Sequence, residues 1–302
     1  MERQVRTKRR VDKEQYFTSS ALAVRCVRFA DRVLDLSTFS LIIEPSAGEA
    51  SFLSLLPQDR RLGVDIEPRA GGIVRADFLE WAPPARDGRT LVIGNPPFGQ
   101  RAALAFDFLE RACAMADAVA FILPRSFNKW TFQNRVPDFF HLRDAFDCED
   151  FYLSGGKSHS VKTVFQIWER KTVRRAKTVL PSAHPHFQMR HCHLSRVMPS
   201  ELKGLRDMYE FTIPQVGMRF TPQDVRDVTR GSHWFIRPLV EGVRERFDRL
   251  DFSFLNGMNT AHMSLSKRDI VAAYVAIAGS DTASEQPDDE DKTGAQLALW
   301  VG

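Results

Sequence analysis

From Phe39 onward the chain alternates short, almost wholly apolar runs with segments of helical period, and few folds satisfy that alternation. The runs are Phe39 to Glu44, Arg61 to Ile66, Gly72 to Ala76, Arg89 to Gly94 and Ala118 to Leu123. Strands this uniformly apolar have no face for water, so they predict a parallel sheet covered on both sides by helices. Before them, Leu22, Val24, Cys26, Val27, Phe29, Ala30 and Val33 form one helical face, which Thr18, Ser19 or Ser20 can cap. After Ala50 an apolar helix is expected through Leu56. Another covers Ala102 to Met115, with Leu104, Phe108, Leu109 and Ala112 on one face. Phe146 to Leu153 and Lys162 to Glu169 read as a closing pair of strands around Ser154-Gly155-Gly156.

In open α/β sheets ligands bind outside the carboxyl ends of the strands, so the residues there are the candidates for function. The first strand runs into Glu44-Pro45-Ser46-Ala47-Gly48-Glu49. Small residues let a ligand approach the backbone, and the absence of Gly-x-Gly-x-x-Gly argues against a phosphate cradle. Asp65 ends the second strand, where a carboxylate can accept from both hydroxyls of a ribose. Asp77 and Phe78 end the third, where a carboxylate can accept from an adenine amine and a ring can pack on the base. Each acid taken alone reads as a solvated strand end. Their succession describes an adenosine-shaped pocket without a phosphate site, which suits S-adenosylmethionine.

The fourth strand leads into Gly94-Asn95-Pro96-Pro97-Phe98-Gly99, a loop stiffened by two prolines. Asn95 offers a side-chain carbonyl, Pro96 a backbone carbonyl and Phe98 an aromatic face. Two acceptors and a ring are what a planar base with an exocyclic amine requires. A Pro-Pro turn capping a strand is the plainer alternative.

With these pieces in order, the stretch from about Tyr16 to Arg170 resembles the class I S-adenosylmethionine-dependent methyltransferases. Within them it is most similar to the gamma group of N6-adenine amino-methyltransferases. The matching motifs are Phe17-Thr18-Ser19-Ser20, Ile43-Glu44-Pro45-Ser46-Ala47-Gly48, Gly63-Val64-Asp65-Ile66, Ala76-Asp77-Phe78-Leu79 and Gly94-Asn95-Pro96-Pro97-Phe98-Gly99. The resemblance implies a Rossmann-like, doubly wound α/β sheet of seven strands, the last antiparallel around Lys162 to Glu169. It implies that Thr18 and Glu44 hold the cofactor's amino-acid end beside Ser46 and Gly48. Asp65 would hold its ribose, and Asp77 and Phe78 its adenine. Asn95, Pro96, Pro97 and Phe98 would form the catalytic loop, with the target base flipped into it. Ala50 stands where many relatives carry Gly.

The implied organisation is a basic tail at 1–14, a methyltransferase domain at 15–172 and a smaller C-terminal target-recognition domain at 173–278. An acidic linker at 279–295, expected to be disordered, and a docking peptide at 296–302 follow. In the last, Gln296, Leu297, Leu299 and Trp300 resemble the bacterial sliding-clamp-binding motif. A net charge of +4 and a pI near 8.9 permit a polyanionic partner without requiring one. DNA is the favoured substrate, with restriction-modification as one setting, although no nuclease motif stands out. RNA adenine methylation, protein glutamine methylation and a non-catalytic nucleic-acid-binding module are the competitors. No apolar run approaches the roughly 20 residues of a membrane span. Cys26, Cys113, Cys148 and Cys192 are scattered, which suits reduced thiols in a cytoplasmic, nucleoid-associated protein. His184, His186, His191 and His193 lack structural zinc spacing, so no metal is expected.

Overall fold

A computed structural model describes residues 18–148, 151–154, 157–160, 162–217, 219–253, 255 and 264–283. The basic tail and the peptide carrying Gln296, Leu297, Leu299 and Trp300 lie outside the described residues. The chain divides into two compact units between Thr178 and Val179.

The first unit opens with helix α1 (Ser20–Leu34). Ser19 caps it, its Oγ accepting the Leu22 N–H at 3.2 Å and so satisfying one of the open first-turn donors. Leu22, Ala23, Cys26, Ala30 and Leu34 recur at three and four residues and are buried as one face. Strands β1 (Phe39–Pro45), β2 (Arg61–Asp65), β3 (Ile73–Arg75) and β4 (Arg89–Gly94) follow. Helix α2 (Ala103–Met115) then leads to β5 (Ala118–Pro124), which is buried at every position. After the short helix α3 (Trp130–Gln133) come β6 (Phe140–Cys148), β7 (Phe151–Ser154), β8 (Lys157–Ser160) and β9 (Thr163–Arg170).

Seven of these strands form one sheet in the order β3-β2-β1-β4-β5-β9-β6. Strands β3 through β5 pair in parallel, and β9 runs antiparallel to both β5 and β6. The lone antiparallel strand is the one expected near Lys162 to Glu169. The chain winds outward from β1 to β3, then returns to lay β4 on the other side of β1. That reversal opens a crevice at the carboxyl ends of β1 and β4. The fold is a Rossmann-like doubly wound sheet.

Three expectations need correction. No apolar helix follows Ala50. The segment makes turns and a single 3-10 turn at Leu53–Leu55, because Ala50 is left-handed at φ 66° and too few residues remain before Pro57 to nucleate a helix. The strand expected at Phe146 to Leu153 is two strands. Strand β6 starts at Phe140 and pairs with β9, whereas β7 pairs only with β8, Ser154 opposite Lys157. The start of β6 is obscured in the sequence by exposed Arg143 and Asp144, charges typical of an edge strand. Finally, a C-terminal helix, Lys267–Ala283, crosses residue 279, where the linker is expected to begin. It runs on through Ala283, into residues expected to be disordered, and the alanines and absence of proline there permit it.

The second unit contains β10 (Phe187–His193), helix α4 (Pro199–Met208), β11 (Phe211–Pro214), β12 (Gln223–Asp224) and β13 (Ser232–Pro238). Helices α5 (Val243–Asp248) and α6 (Lys267–Ala283) complete it. Its antiparallel sheet, ordered β10-β13-β11-β12, is apolar on both faces. Phe187, Phe211, Ile213 and Ile236 pack with Phe247, Ile270 and Tyr274, while Cys192 and Phe235 pack with Leu205. Among the described residues no helix is long and apolar enough to cross a membrane.

Candidate active site

The crevice at the carboxyl end of the first sheet is lined by all eleven of the residues singled out from sequence: Thr18, Glu44, Ser46, Gly48, Asp65, Asp77, Phe78, Asn95, Pro96, Pro97 and Phe98. Four strand ends and Thr18, two residues before α1, converge there.

The loop after β1 is built from alternating left-handed residues, Ser46 at φ 53°, Gly48 at 46° and Ala50 at 66°. For Ser and Ala this conformation is strained, and strain of this kind gathers at ligand sites. The loop is pinned to β2. Ala47 donates its N–H to the Val64 carbonyl at 3.1 Å, and Gly48 donates to Asp65 Oδ2 at 2.8 Å. Asp65 Oδ1 accepts from the Glu67 N–H at 2.7 Å, so one carboxylate fixes two loops. Each of its oxygens retains a second lone pair with which to accept from a ligand hydroxyl.

Glu44 is a brace rather than an open ligand group. It is 3% exposed, and its two oxygens accept the N–H groups of Phe52 at 3.2 Å and Leu53 at 2.6 Å. Burial pushes its carboxyl up from the usual 4.5 to about 8, against the pull of those two donors and with help from the Asp65 charge. The brace holds the short turn that replaces the expected helix.

Asp77 Oδ1 accepts the Leu79 N–H at 3.0 Å. Phe78 is 2% exposed and stacks on Phe108 of α2, centroids 5.3 Å apart and planes at 25°. Phe108 lines the crevice as well, although its position on a helix face had suggested only packing. Glu49, Ser51, Ile66, Glu67 and Arg69 also line it without having been singled out. Each lies within four residues of one of those eleven.

In the β4 loop, Asn95 donates from Nδ2 to Thr18 Oγ1 at 3.0 Å. The Thr18 carbonyl accepts from Ser51 Oγ at 3.4 Å. Phe98 is not the open stacking face its place in the loop suggested. Only 5% of it is exposed, and it belongs to the main core while reaching the crevice wall. Its carbonyl accepts the Ala105 N–H at 3.1 Å, which ties the loop to α2. The turn depends on Gly99 at φ 66°, where a Cβ would lie 2.8 Å from Leu104 Cβ.

The histidines are placed elsewhere. His184 and His186 pack on Tyr274, His191 meets Gln215 at 2.8 Å, and His193 meets Ser195 at 2.9 Å. Trp234 donates its indole N–H to the Leu265 carbonyl, and Phe235 is core.

No family model matches the chain, and neither does any curated protein sequence. Among solved structures, the chain is similar to a provisionally named RNA methyltransferase from Pyrococcus horikoshii, with a TM-score of 0.42 and 18% identity, covering 53% of this chain and 88% of that one. It is similar to a type I restriction-modification system methyltransferase subunit from Streptococcus thermophilus, with a TM-score of 0.40 and 14% identity, covering 53% of this chain and 46% of that one. A third likeness is to an N-methyltransferase from Bradyrhizobium japonicum, at a TM-score of 0.35 and 12% identity, covering 50% and 96%.

Proposed function

We propose that the chain transfers a methyl group from S-adenosylmethionine to the N6 amine of adenine in DNA. One observation carries this reading. Asn95 and Pro96, the two acceptors suited to an exocyclic amine, line the same crevice as Asp65 and Asp77, the two acceptors suited to an adenosine. The residues fit the cofactor in kind: acceptors for its ribose and its adenine amine, an apolar wall from Phe78 and Phe108, and no phosphate cradle. Asp65 would take the ribose hydroxyls, and Ser46 and Gly48 would lie along the amino-acid end. Glu44 acts from behind by holding the turn.

Bound there, S-adenosylmethionine would supply an electrophilic methyl group. The chain's own task is to make a poor nucleophile adequate. The adenine N6 lone pair is delocalised into the ring. Accepting its two hydrogens at Asn95 Oδ1 and the Pro96 carbonyl favours a tetrahedral nitrogen and localises the pair. No general base is needed before attack, so rate would come from positioning and electrostatics. A duplex base must leave the stack to reach this loop.

A polyanionic substrate is supported by α1. Arg25, Arg28 and Arg32 are exposed along the helix, which begins two residues after Thr18 of the crevice wall. Their spacing gives a row roughly 10 Å long, to which backbone phosphates can bind. Lys171 to Lys177 adds further positive charge to the same unit. The same row weighs against protein glutamine as the acceptor. RNA adenine is the second reading, since the Asn-Pro-Pro-Phe loop grips the same amine. The assembled crevice weighs against a non-catalytic module.

Separate pools of DNA, rRNA and protein, incubated with methyl-labelled S-adenosylmethionine, test the proposal. Label should appear in DNA as N6-methyladenine. Label confined to RNA or protein overturns it. We also propose that Gln296, Leu297, Leu299 and Trp300 dock on a sliding clamp, which would raise the local concentration of enzyme at new DNA. Clamp recovery should fall for a chain ending at Thr293, and equal recovery would refute docking.

A further inference from the structure

We propose that Thr18 is the positioning residue for Asn95, holding the nitrogen end of its carboxamide so that the oxygen end meets the target amine. This rests on the methyl-transfer reading and departs from the role at the cofactor's amino-acid end implied for Thr18 by resemblance. The contact is direct, Nδ2 of Asn95 donating to Thr18 Oγ1 at 3.0 Å across 77 residues of sequence.

Its chemistry matters because the two ends of a carboxamide are alike in size and opposite in function. The oxygen accepts, and the NH2 only donates. Rotation of the terminal torsion exchanges them, and that torsion is intrinsically soft. An amine that must give up hydrogen-bonding protons is helped only by the oxygen. Turned the other way, Asn95 would set donors against donors, and the lone pair would not be localised. A partner on Nδ2 therefore decides whether the loop is competent.

Thr18 is itself held from two sides. Its carbonyl accepts from Ser51 Oγ at 3.4 Å, in the loop after β1. Its neighbour Ser19 caps α1 through the Leu22 N–H at 3.2 Å, and the Ser19 carbonyl accepts the Ala23 N–H at 3.0 Å. The hydroxyl that orients Asn95 is thus fixed by a helix start and by the loop that would lie along the cofactor. Order in that loop is passed to the catalytic loop through one side chain.

The test uses the full chain with Thr18→Val, which keeps shape and removes the hydroxyl, Thr18→Ala, and Thr18→Ser, which restores the hydroxyl. Single-turnover methyl transfer to adenine-containing DNA at saturating S-adenosylmethionine should fall about tenfold or more in Thr18→Val and Thr18→Ala, the scale of one hydrogen bond removed at the reacting group. Cofactor affinity by calorimetry should stay as in the parent, and Thr18→Ser should recover most of the rate. Loss of cofactor affinity with an unchanged rate at saturation would overturn the proposal, as would failure of Thr18→Ser to recover. The side-chain amide resonances of Asn95, followed by nitrogen-15 NMR without substrate, supply an arm independent of the acceptor. If the parent methylates no DNA, the DNA-methylation reading falls. Amide signals unchanged in Thr18→Val would then overturn the positioning role separately, and shifted signals would uphold the contact.

Discussion

The backbone N–H of Gly48 points to Asp65 Oδ2 at 2.8 Å, joining the loop after β1 to the end of β2 through a single carboxylate. The acid proposed to meet the ribose is therefore also what shapes the loop beside it. Asn95, in the loop after β4, does not share this bond. Asp65→Ala should weaken S-adenosylmethionine by about tenfold or more, since it removes a charged acceptor and releases the Gly48 and Glu67 donors. Asn95→Ala should abolish transfer and leave cofactor affinity nearly intact. Equal losses of affinity in the two variants, by calorimetry, would dissolve the division of roles.

Ala50 occupies a left-handed conformation at φ 66°, where a Cβ is strained and glycine is not. Ala50→Gly should raise stability by about 0.5–1 kcal/mol, the relief of strain exceeding the greater freedom glycine has in the unfolded chain. Urea titration of both proteins checks it. A lower midpoint in the glycine variant would mean that the loop gains nothing from the change.

Glu44 carries a pH dependence with a definite sign. Burial raises its folded-state pKa from 4.5 to about 8. The folded state thus holds this proton over a range where the unfolded chain releases it. Its contribution to stability is full below about pH 4.5, declines as pH rises, and is gone above about pH 8. Glu44→Gln should remove that decline while lowering stability at acid pH, because one amide oxygen replaces the two that now accept from Phe52 and Leu53. Denaturant unfolding from pH 5 to 9 separates the two effects. Parallel curves for both proteins would contradict this assignment.

The arginine row on α1 should read phosphates without regard to sequence. Arg28→Gln and Arg32→Gln should each lower the slope of log affinity against log salt by about 1, because each leaves one phosphate with its counterion. Anisotropy on two unrelated duplexes at several salt concentrations is the check. An unchanged slope would place the nucleic acid on another face.

Much of this arrangement is legible from residues alone, and the rest is hidden for identifiable reasons. Arg89–Gly94 is found to the residue, because an apolar run there is bounded by charge on one side and Gly-Asn-Pro-Pro on the other. Strand β6 is obscured because an edge strand carries Arg143 and Asp144 amid its apolar residues. The loop at 46–50 reads as small and accommodating, yet its left-handed backbone at Ser46 and Ala50 has no signature in residue type. Phe98 looks like a presented ring because nothing local shows that Gly99 turns the chain back over it. The Thr18 and Asn95 contact joins positions far apart in sequence, and only the placement of the chain before α1 beside the carboxyl end of β4 brings them together.

The strand order also acts as a ruler. Asp77 follows β3, Asp65 ends β2, Ser46 follows β1 and Asn95 follows β4, and these four strands are immediate neighbours. Backbone hydrogen bonding spaces adjacent strands about 4.8 Å apart, so the outer two of the four stand about 14 Å from each other. A molecule must be roughly that long to touch Asp77 at one end while delivering a group beside Asn95 at the other. Ladder spacing, common to every sheet and indifferent to side chains, thus becomes a measure of ligand length.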